Sequence, residues 1–332
     1  MPAWREFPGH AYRATCVWAS HQHRLRDFAT SSRLTRGTVR RFVAGETLPE
    51  VLRALERLRG RGLATTVDAL GESVTSADEA RAAADRYLDV IDALAARGLD
   101  RNVSLKLTQM GLDVDPVLCR ENVRRIAARA AEVDAFVRVD MEDHTRTDAT
   151  LDLVRDLHRD HPNVGVVIQA YLRRSGEDVA ALCGEGIRVR LCKGAYDEPP
   201  QVAFATRAEV NASFRALLEK LLRDGQAPAF ATHDEHMIEH ARTAARAMGI
   251  EPSRFEFQML YGVRRDLQER LARDGYGVRV YVPFGTDWYP YFMRRLGERP
   301  ANVLFLVASI LGEGRRRPRR AQTGQPPPSM GG

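Results

Sequence analysis

Tyr291, Arg294, Arg295 and Glu298 recur at i, i+3, i+4 and i+7, the spacing of one helical face. A helix that only filled a core would carry Leu or Val there; this one carries a phenol, two guanidinium groups and a carboxylate. Two adjacent arginines can grip a planar anion through several charge-assisted hydrogen bonds, which one lysine cannot do. The plain alternative is a solvated face, with an Arg294 to Glu298 pair worth about 0.3–0.5 kcal/mol. Position favours binding, because the pair follows a strand pattern over residues 278–282 that ends at Pro283 and Gly285. Lys106 and Arg190 are further charges inside predicted strands, where an inward-facing charge needs a partner. Asp140, on the strand next to that of Lys106, is the obvious one.

These residues need elements to hold them. From Ala64 onward, short β-rich runs alternate with longer amphipathic helices, the pattern of a parallel α/β sheet. The runs cover 64–70, 103–107, 135–140, 164–170, 187–192, 229–231, 255–260 and 278–282. Eight such units in about 250 residues predict a (β/α)8 TIM-like barrel, in distorted form, with a doubly wound open sheet as runner-up. A barrel places its chemistry at the C-terminal ends of the strands, and those ends carry Asp68, Glu72, Lys106, Asp140, Glu142, Gln169, Tyr171, Arg190, Lys193, Thr232, His233, Gln258, Tyr261 and Tyr281. Upstream, Thr47-Leu-Pro-Glu50 is a capping box leading into Val51, Leu52, Leu55 and Leu58 at helical spacing. The expected organisation is an Arg-rich helical arm over 1–62, the barrel over 63–312, and a basic, Pro-rich tail over 313–332 expected to be disordered.

The 332 residues carry 50 Lys and Arg against 44 Asp and Glu, a formal charge of +6, much of it in the arm and in the tail from Arg315 to Arg320. No basic motif is interleaved with aromatics, so a nucleic-acid footprint is not predicted. Cys16, Cys119, Cys183 and Cys192 form no CxxC, which argues against a disulfide framework or zinc knuckle and for a reducing compartment. There is no signal-peptide core, and the longest apolar run, 303–311, is too short to span a bilayer. A cytoplasmic protein is expected, with the basic tail able to support contact with an anionic membrane surface.

Four motifs occur in order: Gly165-Val-Val-Ile-Gln-Ala-Tyr-Leu172, Arg190-Leu-Cys-Lys-Gly-Ala-Tyr196, Phe255-Glu-Phe-Gln-Met-Leu-Tyr-Gly262, and Val280-Tyr-Val-Pro-Phe-Gly285 followed by Tyr291-Phe-Met-Arg-Arg-Leu296. With Leu70-Gly-Glu72, Val103-Ser-Leu-Lys-Leu107, Val139-Asp-Met-Glu142 and Thr232-His233, they resemble the catalytic domain of proline dehydrogenase over about residues 36–312. That family oxidises L-proline to 1-pyrroline-5-carboxylate. The absence of a second domain would make this the monofunctional form. Removing a hydride from a C–H beside nitrogen needs an electron sink that no side chain provides. The resemblance implies FAD, bound non-covalently at the strand ends, and a quinone as electron acceptor. It implies that Arg190 sits near the flavin N5, that Gln169 bonds the isoalloxazine edge, and that Asp140 and Met141 lie beside the ring. Cys192, Lys193, Gly194, Ala195, Thr232 and His233 would hold the rest of the cofactor. Arg294 and Arg295 suit the proline carboxylate, while Tyr196, Leu260, Tyr281 and Tyr291 would wall its ring. Lys106, Asp140 and Glu298 would complete the polar network, and Glu72 could pair with Arg294 as a gate. Asp234 stands where many relatives are expected to have Asn, which puts a carboxylate near the pyrophosphate.

A reading from another class comes from His236-Met-Ile-Glu-His240, which fits H-x-x-E-H. His236 and His240 could bind Zn2+ with Glu239 as general base, giving a metallohydrolase. A barrel that binds a small molecule without catalysis is a third reading, and it requires that the Arg pair, Lys106 and Asp140 do not converge.

Overall fold

In the computed structural model the described residues are 39–298, the side chains of 294–298 excepted. Most of the predicted arm and all of the predicted tail lie outside them. Arg40–Trp288 form one compact unit; Val39 and residues 289–298 belong to another.

The first unit is a closed barrel of eight parallel strands, each paired to the next and β8 back to β1. The strands are β1 Ala64–Ala69, β2 Asn102–Leu105, β3 Phe136–Val139, β4 Val164–Gln169, β5 Val189–Cys192, β6 Ala229–Ala231, β7 Glu256–Leu260 and β8 Gly277–Phe284. The helices are α1 Leu48–Arg59, α2 Ala77–Ala96, α3 Pro116–Glu132, α4 Thr147–Asp160, α5 Ser175–Gly184, α6 Arg207–Asp224, α7 Glu235–Ala247, α8 Arg265–Arg273 and α9 Trp288–Glu298. Closure settles the choice against the open sheet.

Alternation along the strands decides which side chains meet the helices. Val67, Val103, Leu105, Val137, Val139, Val166, Leu191, Phe257, Val280 and Val282 are buried in one apolar core with Leu55 of α1, Ile91 of α2, Ile126 of α3 and Val154 of α4. The residues between them point the other way, into the barrel, where Thr66 Oγ1 lies 3.1 Å from Ser104 Oγ. Helix starts follow local chemistry. The predicted capping box at Thr47 and Glu50 forms, with Pro49 in the first turn of α1. Thr206 and Glu209 form another on α6.

Two strands, β2 and β8, end two residues away from expectation. β2 stops at Leu105, so Lys106 is the first residue after the strand and not inside it. β8 runs past Val282: the ladder with β1 continues through Asp68↔Pro283 and Ala69↔Phe284. A proline removes one N–H but keeps its carbonyl, and that of Pro283 accepts from Ala44 N at 2.9 Å. Gly262, after β7, has φ of +75°, and a Cβ there would meet Arg41 O at 1.6 Å, so only glycine lets the segment before α1 lie against this loop.

Candidate active site

Asp140, the residue after β3, is 9% exposed and takes bonds from three other elements. Lys106 Nζ donates to its Oδ2 at 3.2 Å and Tyr281 OH to the same oxygen at 2.8 Å. Its Oδ1 is ion-paired with Arg190 Nη2. Arg190, 5% exposed on β5, also donates from Nη1 to Ser104 Oγ and Gln258 Oε1, both at 3.1 Å. Its guanidinium carbon lies 5.2 Å from the Tyr281 ring centre, a cation–π contact. Lys106 Nζ is further 3.6 Å from Asp68 Oδ2. Two carboxylates and two cations thus balance at the mouth of the barrel, each supplied by a different strand end.

Protonation states follow from these contacts. Burial alone would raise the Asp140 pKa, but Arg190, Lys106 and the Tyr281 bond outweigh it and hold the carboxyl below its ordinary value. Burial works against the Lys106 charge, yet Asp68 and Asp140 overcome it and push its pKa up. Burial, with Asp140 and Asp68 adding, pushes the Tyr281 phenol well up. At neutral pH Asp140 is therefore ionised, Lys106 charged and the Tyr281 phenol intact. None of these three is poised near pH 7 as a proton acceptor.

Most of the other predicted residues of the barrel lie at the ends of its strands. Glu72, after β1, and Tyr196, after β5, are half-buried, and the Glu72 carboxylate adds to the upward push on the Lys106 pKa. Leu260 ends β7 half-buried, and Met141 is buried after Asp140. Cys192 closes β5. Gln169, at the end of β4, donates from Nε2 to Glu142 O at 2.8 Å and accepts at Oε1 from Ala195 N at 3.1 Å, so its amide ties the loops after β3 and β5. Gly194 has φ of +123°, and a Cβ there would meet Tyr171 Cδ1 at 2.2 Å. Lys193 Nζ donates to Asn211 Oδ1 at 2.6 Å and Asp234 Oδ2 at 2.7 Å, using two of its three N–H bonds. The unexpected Asp234 is thus ion-paired and also accepts from His236 N as the cap of α7. Thr232 Oγ1 accepts from Asp234 N at 3.1 Å. His233 Nε2 accepts from Leu260 N at 3.0 Å, so the imidazole bears no proton on that nitrogen.

Tyr291 is buried on α9, and the helix runs through the predicted face; the side chains of Arg294, Arg295 and Glu298 lie outside the described ones. The alternative zinc pair does not assemble. His240 Nε2 bonds Glu219 Oε1 at 2.8 Å, Glu239 takes Arg246, and no group of His, Cys, Asp and Glu among the described residues could hold a metal ion.

Asp68, Ser104, Gln258 and Tyr87 were not assigned roles from sequence. Asp68 and Gln258 were visible as polar strand ends. Tyr87 resembles an ordinary core residue of an amphipathic helix, yet its hydroxyl donates to Ser104 O at 2.7 Å and lies 3.4 Å from Asp68 Oδ1.

Comparison with known proteins identifies the family. The proline dehydrogenase family profile matches residues 51–308. Proline dehydrogenase 1 of Bacillus subtilis subsp. natto is 42% identical over 277 residues, 83% of this chain and 92% of that protein. Proline dehydrogenase of Deinococcus radiodurans is 43% identical over 276 residues, 82% and 89% of the two chains. The crystal structure of proline utilization A from Bdellovibrio bacteriovorus, inactivated by N-propargylglycine, superposes with a TM-score of 0.75 at 27% identity. The match covers 86% of this chain and 36% of that one, so the likeness concerns about a third of the larger protein. No helix among the described residues is long and apolar enough to cross a membrane. A profile that spans most of the barrel, together with relatives above 40% identity over nearly their whole length, establishes that the chain belongs to the proline dehydrogenase family.

Proposed function

We propose that the protein oxidises L-proline to 1-pyrroline-5-carboxylate with non-covalent FAD in the barrel mouth, and passes the electrons to a quinone. What carries this reading is the convergence of Lys106, Asp140, Arg190 and Tyr281 on one point at the C-terminal ends of the strands. When bound, FAD supplies the electron sink that side chains lack. The donor set fits it. Arg190 offers fixed positive charge, Lys193 offers an ammonium for the phosphates, and Gly194 keeps the loop after β5 free of a side chain where the backbone must pass close to Tyr171. Gln169 and Ala195 hold that loop in place; Met141, Cys192, Thr232 and His233 line the same strand ends.

For the substrate, Asp140 provides the negative charge that a proline ammonium seeks, and Arg190 and Lys106 keep that carboxylate ionised and oriented. With Lys106 and Tyr281 holding their protons and Asp140 held at low basicity, the substrate amine loses its proton to water before its lone pair can form the C=N bond. Activity should therefore rise with pH as the amine of proline deprotonates. Arg294 and Arg295 serve the carboxylate of proline, with Tyr196, Leu260, Tyr281 and Tyr291 around the ring and Glu298 and Glu72 as polar neighbours. A cytoplasmic chain whose basic residues 315–320 rest on anionic lipid would meet a membrane quinone, each charge adding about 1 kcal/mol.

The test is direct. The purified protein should absorb at about 450 nm, release a yellow chromophore on denaturation, and lose that absorbance when proline is added without an acceptor. A colourless protein would sink the reading. Replacing Arg295 by Met should lower kcat/KM for proline on the order of 30-fold, mainly through KM, with FAD content unchanged.

A further inference from the structure

Beneath the mouth, a line of side chains runs down the barrel interior. Gln258, 4% exposed on β7, accepts at Oε1 from Arg190 Nη1 at 3.1 Å and donates from Nε2 to Glu256 Oε1 at 2.5 Å. Glu256 is gripped by Arg279 Nε, at 2.9 and 3.1 Å to its two oxygens, and Arg279 Nη1 is anchored to Thr65 O at 2.7 Å. A primary amide can sit in either of two orientations, but only one is possible here. A guanidinium only donates, so the carbonyl must face Arg190; an ionised carboxylate only accepts, so the NH2 must face Glu256. Glu256 does stay ionised: burial would raise its pKa, and Arg279 with the Arg279 and Gln258 bonds more than offsets this.

We propose that Gln258, its amide turned by Glu256, is a positioning residue that aims the Arg190 guanidinium at Asp140. Arg190 Nη2 reaches Asp140 while Nη1 is shared between Ser104 and Gln258. Without the Gln258 oxygen, only the Ser104 hydroxyl fixes Nη1, and that hydroxyl can rotate. The inference rests on the reading of Arg190 as a residue of the flavin site.

Gln258→Met, which keeps the bulk and loses both bonds, tests it against Val103→Ala, a destabilising change in the apolar core outside the barrel. In the FAD-loaded Gln258→Met protein kcat should fall about tenfold with KM for proline changed less than about threefold, and the visible flavin band and midpoint potential should shift. Val103→Ala should lower Tm without moving either flavin signature. In the apoproteins, the acid midpoint of unfolding should move upward for Gln258→Met through two carboxyls, Glu256, which loses the Gln258 bond, and Asp140, which loses part of the pull of Arg190; the Asp140 part is the portion of the shift that disappears in an Asp140→Asn background. If the wild type binds no flavin yet that portion appears, the positioning holds and the flavin reading fails. Should the Met variant not fold, Gln258→Asn is one methylene too short to span Glu256 and Arg190 and reads the same signatures. Wild-type kcat, flavin band and acid midpoint in the variant would overturn the proposal and leave Gln258 as filling.

Discussion

Two buried charges of the barrel interior, Asp140 at the mouth and Arg138 beneath it, are satisfied differently. At the mouth, Asp140 is met by Lys106, Tyr281 and Arg190, all side chains from separate strand ends. One layer lower, Arg138 donates from Nη1 to two backbone carbonyls, Val166 O at 3.1 Å and Arg188 O at 2.5 Å, and its guanidinium carbon lies 4.7 Å from the Phe136 ring centre. Side-chain partners can be exchanged for a ligand's charges when it enters; carbonyls of paired strands cannot move without opening the sheet. Both residues bury charge, but Asp140 has partners that can be traded and Arg138 does not. Burial of a charge therefore says less about function than what kind of group answers it.

The sharpest way to break this contrast is at Asp140. Asp140→Ala leaves Lys106 and Arg190 facing each other with one anion fewer, and losing one member of a buried ion pair costs about 3–5 kcal/mol. Activity with proline and a soluble dye should fall by about two to three orders of magnitude, and Tm should drop as well. Activity within tenfold of wild type would mean the cluster is structural, like Arg138 below it.

Tyr281→Phe is milder. It deletes the donor to Asp140 Oδ2 at 2.8 Å and keeps the ring beneath Arg190. A hydrogen bond to a charged group is worth about 1.5–3 kcal/mol, so kcat/KM should fall by about ten- to a hundredfold with the flavin retained. Lys106→Met addresses the electrostatics through pH. The depressed Asp140 pKa contributes stability that is fully present above the ordinary carboxylate value and is lost as pH falls through the folded value. Removing Lys106 raises that folded value, so acid unfolding followed by circular dichroism should set in at higher pH than in the wild type. An unchanged acid limb would mean Lys106 does not act on Asp140.

How much of this was legible in the sequence depended on how local the cause was. The capping box at Thr47 and Glu50 spans four residues, and the alternation that turns Val103 and Leu105 outward has a period of two; both are written along the chain. Lys106 and Asp140 could be paired because each ends a strand and the strands are neighbours. Gln258 could not be assigned, since its partner Arg190 lies 68 residues away across the closed barrel and nothing nearby marks which amide end faces it. Tyr87 was hidden for a related reason: a helix tyrosine reads as apolar filling until the strand behind it presents the Ser104 carbonyl. The end of β8 was misjudged because proline is a reliable stop signal only where its missing N–H is needed, and here the ladder carries through Pro283.

The smallest expected effect is the one that separates the two charges. Arg138 Nε has no hydrogen-bond partner among the described residues, and burial, with the like charges of Arg190, Arg279 and Arg188 and against the pull of Glu256, pushes its pKa well down. Its charge is thus poorly compensated, and what it contributes comes from two bonds to carbonyls and from stacking on Phe136. In Arg138→Met the stem still covers the ring, and Arg188 O keeps its bond from Val166 N at 3.0 Å. Replacing a buried charge by an apolar chain of similar volume is often close to neutral, so urea unfolding should shift by no more than about 1 kcal/mol in either direction. Specific activity per bound FAD should stay within about twofold, since the trading of partners happens one layer higher. If Arg138→Met instead lost tenfold or more in activity at full flavin content, charge in the lower layer would be felt at the mouth. The two charges would then belong to one electrostatic unit running the depth of the barrel.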